Sequence, residues 1–228
     1  MINEIIDSGK DYGVSNIGAG QSVLLEYVSA NPTGPLHVGH GRGAAYGATV
    51  SNLLRTIGFK VDNEYYVNDA GRQMDILTVS IFLRYLELFG EKVRFPDNGY
   101  QGNYIKEIVG SISERYGDTF QIESTLVFDG ICKDGIDGGD KESHIDELIA
   151  RSKDLLGEGF KSIFEVGIES ILNGIKEDLA DFGVVFEKWF SERSLIDNGL
   201  AKSSIDKLQK SKHVYTKDGA LWFRTTEY

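Results

Sequence analysis

Cysteine is almost absent from this chain. Cys132 is the single one in 228 residues, so no disulfide can form within it, and a reducing, cytoplasmic compartment is expected. Proline is scarce as well: there are three, and two of them, Pro32 and Pro35, share one bend. No apolar run approaches the roughly 18 residues that would cross a bilayer, so no membrane partner is expected. The amino terminus has neither a basic start nor a long apolar centre, because Glu4, Asp7 and Asp11 interrupt it, and no signal peptide is read there. Basic residues are in deficit, 24 against 35 acidic, for a net charge of -11. The mean field therefore repels phosphate backbones and acidic lipid, and any nucleic-acid contact must be local. With 41% hydrophobic and 26% charged residues and no fixed-period repeat, what remains is an ordinary globular mixture.

Residues 23–29, VLLEYVS, are apolar and rich in β-formers, which predicts a buried strand. Tyr46, Val50, Leu53, Leu54 and Ile57 then recur at helical spacing before Gly58, predicting a helix over 36–57. In KVDNEYYV, Val61, Asn63, Tyr65 and Val67 alternate against the other parity, as a second strand would. Strand, helix and strand make a βαβ unit, and open parallel sheets bind ligands beyond the carboxyl ends of their strands. The loops at that edge, 29–35 and 68–71, should face one cleft. Further helices are expected over 73–89, packed against the sheet, over 103–117 with Ile105, Ile108, Val109 and Ile112 inward, and over 143–156 and 159–182. Residues 129–142 read as an exposed loop whose Asp129, Asp134, Asp137 and Asp140 are solvated. Residues 184–190 read as a strand, 198–211 as a polar helix, and Asp218-Gly219 as the turn of a hairpin between 213–216 and 220–223.

His37 and His40 lie three apart at the start of the first long helix, where free N–H groups and the helix dipole favour phosphate. Gly39, Gly41 and Gly43 keep that helix start bare, although each glycine costs a helix about 1 kcal/mol relative to alanine. A bland alternative is available: two histidines cap a surface helix, and the glycines allow close packing.

The stretch EYVSANPTGPLHVGHGRG joins a strand, a proline-containing bend and this histidine pair. It resembles the HIGH signature of class I aminoacyl-tRNA synthetases, the match being HVGH within the region Ala30, Asn31, Pro32, Thr33, Gly34, Pro35, Leu36, His37, Val38, Gly39 and His40. Together with EYYVNDAGRQ, FPDNGYQGNYI, WFSERSL and DGALWFRTTEY, it is similar in the same order to the arginyl-tRNA synthetase family. The resemblance implies an α/β fold, a Rossmann-like (HUP-type) parallel sheet with helices on both faces and an α-rich insertion. It implies ATP as substrate accompanied by Mg2+, with L-arginine and tRNA(Arg) as the other substrates. By the same resemblance His37, Gly39, His40 and Gly41 bind ATP, with the two histidines catalytic, and Glu26, Ser29, Asn31 and His37 bind arginine. Asn68, Asp69, Gly71 and Gln73 would shape the second loop of the cleft; an Asx turn or a helix cap explains them equally well. Tyr100, Gly102 and Tyr104 read as structural rather than tRNA-facing.

The family's lysine-rich KMSK loop, helical anticodon-binding domain and additional amino-terminal domain have no counterpart in these residues. Gly34 stands where relatives with a degenerate second loop carry lysine, so a regular KMSK loop is expected in the parent. The expected organisation is the first half of a nucleotide-binding catalytic domain over 1–92, an insertion over 93–170, and a return to the catalytic domain over 171–228. The chain is thus expected to be an inactive, monomeric fragment of a longer ligase, without a protein-bound metal. Two rivals remain: a nucleotide-binding piece that does not turn over, and a dinucleotide-binding domain built on the loose GxGxxxG of Gly41, Gly43 and Gly47.

Overall fold

The computed structural model describes residues 1–210 and 213–227. A short exposed helix, Ile2–Ser8 (α1), precedes strand Ser22–Glu26 (β1), which runs parallel to Lys60–Val67 (β2) with Ser22 opposite Lys60 and Glu26 opposite Glu64. Lys188–Ser191 (β3) completes a sheet ordered β1-β2-β3. Helix Val38–Thr56 (α2) connects β1 to β2. The alternation expected of β2 holds, since Val61, Asn63, Tyr65 and Val67 are all buried.

Strand β1 differs from its expectation. It is an edge strand that ends at Glu26, and its Leu24 is 58% exposed. The chain leaves it through Val28 at φ 65° and Ser29 at φ 39°, a left-handed region that a β-branched residue enters only under strain. The backbone therefore cannot continue as a strand to residue 29.

The helical part of the molecule is built around Arg72–Leu88 (α3). Eleven of its residues are buried, from Met74 to Leu86, which is what a helix apolar on all sides requires. Its backbone neighbours are Asn103–Tyr116 (α4), Lys141–Leu156 (α6, after the single turn Ser124–Val127, α5) and Glu158–Asp181 (α7), and its buried side chains share one apolar core with Tyr65 and Val67 of β2. The α4 face is the expected one: Ile105, Ile108, Val109 and Ile112 are all buried. Within 129–142, Asp134 is buried instead of solvated. Its carboxylate accepts from the backbone N–H of Asp97 (2.9 Å) and of Gly135 (2.7 Å), the donors that make burial of a charge tolerable. Asp140 caps α6 by accepting from Ser143 N–H at 2.8 Å, and Asp137 pairs with Arg94.

Residues 184–187 lie outside any strand, yet Val184 and Phe186 are buried and Glu187 clasps the βαβ unit. Burial pushes the Glu187 carboxyl up, but hydrogen bonds from Asn63 N–H (2.8 Å), its own backbone and the Arg55 guanidinium (2.6 Å) outweigh it and hold that carboxyl below the usual carboxylate range.

The chain divides into two compact units, 1–190 and 191–228. The second contains Arg193–Asp197 (α8), Leu200–Lys210 (α9) and the hairpin Val214–Lys217 (β4) and Ala220–Phe223 (β5). The expected polar helix thus begins at Leu200; its expected last residue, Ser211, lies outside the described residues. Asp218 at φ 52° and Gly219 at φ 77° make the expected two-residue turn.

At Gly47 of α2 a Cβ would sit 2.2 Å from the Tyr27 ring, just after β1. Gly47→Val should lower stability by about 1–3 kcal/mol through overpacking. Urea unfolding of the variant beside the parent chain measures the effect, and equal midpoints would show that Tyr27 moves aside freely.

Candidate active site

Residues 29–35 run from the strained turn to the head of α2, and hydrogen bonds hold them at each end. Ser29 Oγ accepts from Tyr66 N–H at 3.1 Å. The Tyr65 hydroxyl accepts from Ala30 N–H (3.0 Å) and donates to Ala30 C=O (3.1 Å), so one side chain satisfies both buried backbone groups of that residue. Tyr65 itself is fixed by a stacked Trp189 at 4.3 Å and an edge-on Phe186 at 5.4 Å; burial pushes its pKa up to about 12. A buried tyrosine needs a hydroxyl partner. That requirement was the signal in the sequence, but nothing local pointed to Ala30.

The two edge loops meet as expected. Asn31 Nδ2 donates to Gln73 Oε1 at 2.9 Å while Asn31 Oδ1 accepts from Asn68 Nδ2 at 3.1 Å. Asn68 and Asp69 do not cap the following helix, whose N-cap is Gly71 with no side-chain bond. Asp69 is buried, and its N–H bonds Val67 C=O at 2.9 Å. The second loop is therefore tied to the first through the amide of Asn31.

Helix α2 begins at Val38, two residues later than its expected start, because His37 is extended (φ -134°, ψ 172°) and acts as the N-cap. The His37 Nδ1 accepts from Gly39 N–H at 3.1 Å, and the His40 Nδ1 accepts from His37 N–H at 3.2 Å, closing a capping box of two histidines. The rings stack at 3.8 Å. Because each Nδ1 lone pair is engaged by a backbone donor, the neutral rings carry their protons on Nε2, so each keeps one ring N–H free of the cap. Gly39 is required by this arrangement, since a Cβ there would lie 2.9 Å from the His37 ring. At Gly41 and Gly43 a Cβ would meet nothing within 4 Å, so the protein's own packing does not demand glycine there. The helix's own first turn holds no acidic residue, while Asp178 of α7 lines a cavity together with His37 and Gly41. Capping, the bland alternative, is thus realised, and it leaves both imidazoles as donors at a helix end that suits phosphate.

Glu26 lies at the carboxyl end of β1, exposed, just before the strained turn. Its cross-strand neighbour Glu64 is buried and paired with Lys188 at 2.5 Å. Glu26 has no ion-pair partner among the described residues, and so offers an uncompensated carboxylate. The glycines of the loose GxGxxxG lie inside α2 instead of at the turn after β1, which is not where a dinucleotide pyrophosphate is gripped.

Residues 1–92 match the family model described as "tRNA synthetases class I (R), catalytic domain". The whole chain is 53% identical to an arginine–tRNA ligase of Thioalkalivibrio sulfidiphilus, spanning 39% of that protein, and 54% identical to one of Hydrogenovibrio crunogenus, spanning 40%. The chain belongs to the arginyl-tRNA synthetase family. A crystal structure from Campylobacter jejuni described as an arginyl tRNA synthetase superposes with a TM-score of 0.72 at 30% identity, covering 99% of this chain and 42% of that one. The chain spans about 40% of the length of the curated relatives it matches. None of its described helices is long and apolar enough to cross a membrane.

Partial burial and the neighbouring His37 hold the His40 pKa below 6.5. Between that lowered value and 6.5, the unfolded chain binds a proton that the folded chain does not. Stability therefore declines as pH falls through this window and stops declining below the folded pKa. NMR titration should give a His40 midpoint below 6.5, and His37→Gln should raise it only part of the way, because burial is the larger cause. Full recovery in His37→Gln would make charge, not burial, the cause.

Proposed function

We propose that this chain carries the adenylation head of an arginine–tRNA ligase, which activates L-arginine with ATP and transfers it to tRNA(Arg). The observation that carries this reading is the double-histidine cap, with both Nδ1 atoms committed to the backbone and both Nε2–H groups left free of the cap at the helix end. In the first step an arginine carboxylate oxygen attacks the α-phosphorus of ATP. The bond to the bridging oxygen breaks, giving arginyl adenylate and pyrophosphate. Negative charge grows on the departing pyrophosphate, and preorganised donors stabilise it without reorganising. His37 and His40 take that role, with Mg2+ arriving on the nucleotide, and Gly39 and Gly41 let the nucleotide approach the backbone. In the second step a terminal ribose hydroxyl of the tRNA attacks the arginyl carbonyl and AMP leaves.

Glu26 selects arginine. A guanidinium and a carboxylate make a short charge-assisted pair, and with Glu64 already neutralised by Lys188, Glu26 is the acceptor left over. Ser29, Asn31 and His37 would then face the amino-acid end, Asn31 oriented by Asn68 and Gln73. Asp69 and Gly71 complete the second loop. ATP binding by the HIGH-type region and a cytoplasmic location belong to this same proposal.

Arginine-dependent exchange of pyrophosphate into ATP, by the protein as its full reading frame encodes it, tests the reading. His37→Ala or His40→Ala should lower kcat/KM by about 100-fold or more with the fold intact; unchanged values in both would sink it. Glu26→Gln should raise the arginine KM about 10-fold or more with little effect on that of ATP. Equal effects on both substrates would make Glu26 structural.

A further inference from the structure

The segment 29–35 has no regular structure, yet it sets where His37 begins the helix. Tyr65 fixes its first part. Its far end is fixed by a residue 71 positions later in the chain: the Tyr104 hydroxyl donates to Thr33 C=O at 2.5 Å. Tyr104 is the second residue of α4, whose isoleucines are buried against α3 and α7, so its backbone belongs to the rigid helical core. The ring lies between two glycines. A Cβ at Gly102 would be 2.3 Å from its Cε1, and one at Gly34 would be 3.2 Å from its Oη. Tyr100, four residues earlier, is tied to α3, its N–H donating to Ser80 Oγ at 2.9 Å. Burial pushes the Tyr104 pKa up to about 12, which keeps the hydroxyl protonated, and so a donor, at any physiological pH.

We infer that Tyr104 is a positioning residue for the adenylation site: through Thr33 it fixes the path of 33–37 and hence the aim of the two imidazoles. The inference rests on the adenylation reading above and goes beyond it by giving the helical segment a part in the chemistry. Tyr104 touches no reacting atom. Its effect comes through geometry, and reacting groups displaced by about an ångström lose rate steeply. Three residues, Gly34, Pro35 and Leu36, separate the clamped carbonyl from the N-cap, and Pro35 stiffens that short span, so a shift at Thr33 is passed on to His37.

The test is Tyr104→Phe in the protein as its full reading frame encodes it, because phenylalanine keeps the ring between the glycines and removes only the donor. Arginine-dependent pyrophosphate exchange should show kcat lowered about 10-fold, with the KM for arginine and for ATP held within about 2-fold. Amide hydrogen exchange should speed up over 30–37 while α3 and α4 keep their protection. Lowered kcat together with the looser loop supports the inference. Wild-type kcat, lowered kcat with an unchanged loop, or a rise confined to the arginine KM would each overturn it, the last by making Tyr104 a substrate contact. If the parent protein itself shows no arginine-dependent exchange, the adenylation reading fails separately. Loop protection in Tyr104→Phe then decides the clamp alone, faster exchange upholding it and unchanged exchange overturning it.

Discussion

The site depends on the chain turning out of a parallel strand at Val28 and Ser29 while both buried backbone groups of Ala30 stay paired. Val28 and Ser29 take positive φ values that neither favours, at about 1–3 kcal/mol each. The Tyr65 hydroxyl offsets this by satisfying both polar groups of Ala30 from inside the core. Remove that hydroxyl and the donor and acceptor of Ala30 are stranded, a penalty of about 1–3 kcal/mol apiece. Everything downstream, from the Asn31 amide to the histidine cap, hangs from this junction.

The capping box explains how two imidazoles can serve as scaffold and as chemistry together. A serine or aspartate at the N-cap would satisfy the helix equally well, but a carboxylate has no donor to offer a phosphate, and a serine has one oxygen for both tasks. Imidazole has two nitrogens. One closes the cap, fixing ring orientation and tautomer, and the other remains a donor of known direction. The cap is thus compatible with the proposed role of the pair, since it uses one nitrogen of each ring and leaves the other.

The sequence was legible where periodicity and turn chemistry speak. Strand β2, the inward face of α4, the Asp-Gly hairpin and the meeting of the two edge loops were all read correctly from alternation, helical spacing or glycine placement. Where it was not, the missing information was long-range. Residues 23–29 have the composition of a buried strand, and the early exit comes from strain at Val28 held by Tyr65, which no local pattern encodes. Helix α3 is apolar on all sides, and the helices that cover most of it lie later in the chain, where its own periodicity gives no hint of them. Asp134 looked solvated until the N–H groups of Asp97 and Gly135 were found to enclose it. The likeness to synthetases drew attention to 26–40, but it gave no hint that Tyr104 would reach Thr33.

The Glu187 clasp bears on how the chain is made. Glu187 reaches Asn63 across 124 residues and Arg55 across 132. On a ribosome adding about 5–20 residues each second, the nascent chain carries β1 and β2 for roughly 6–25 s before the residues that close the far side of β2 exist. Two parallel strands with both outer edges open are a pairing hazard. Helices α3 to α7 are made in that interval, and their packing shortens the effective loop that β3 must close. The clasp then locks a sheet that could not have been completed earlier, so nascent chains stalled short of residue 187 are the population most exposed to chaperones and proteases.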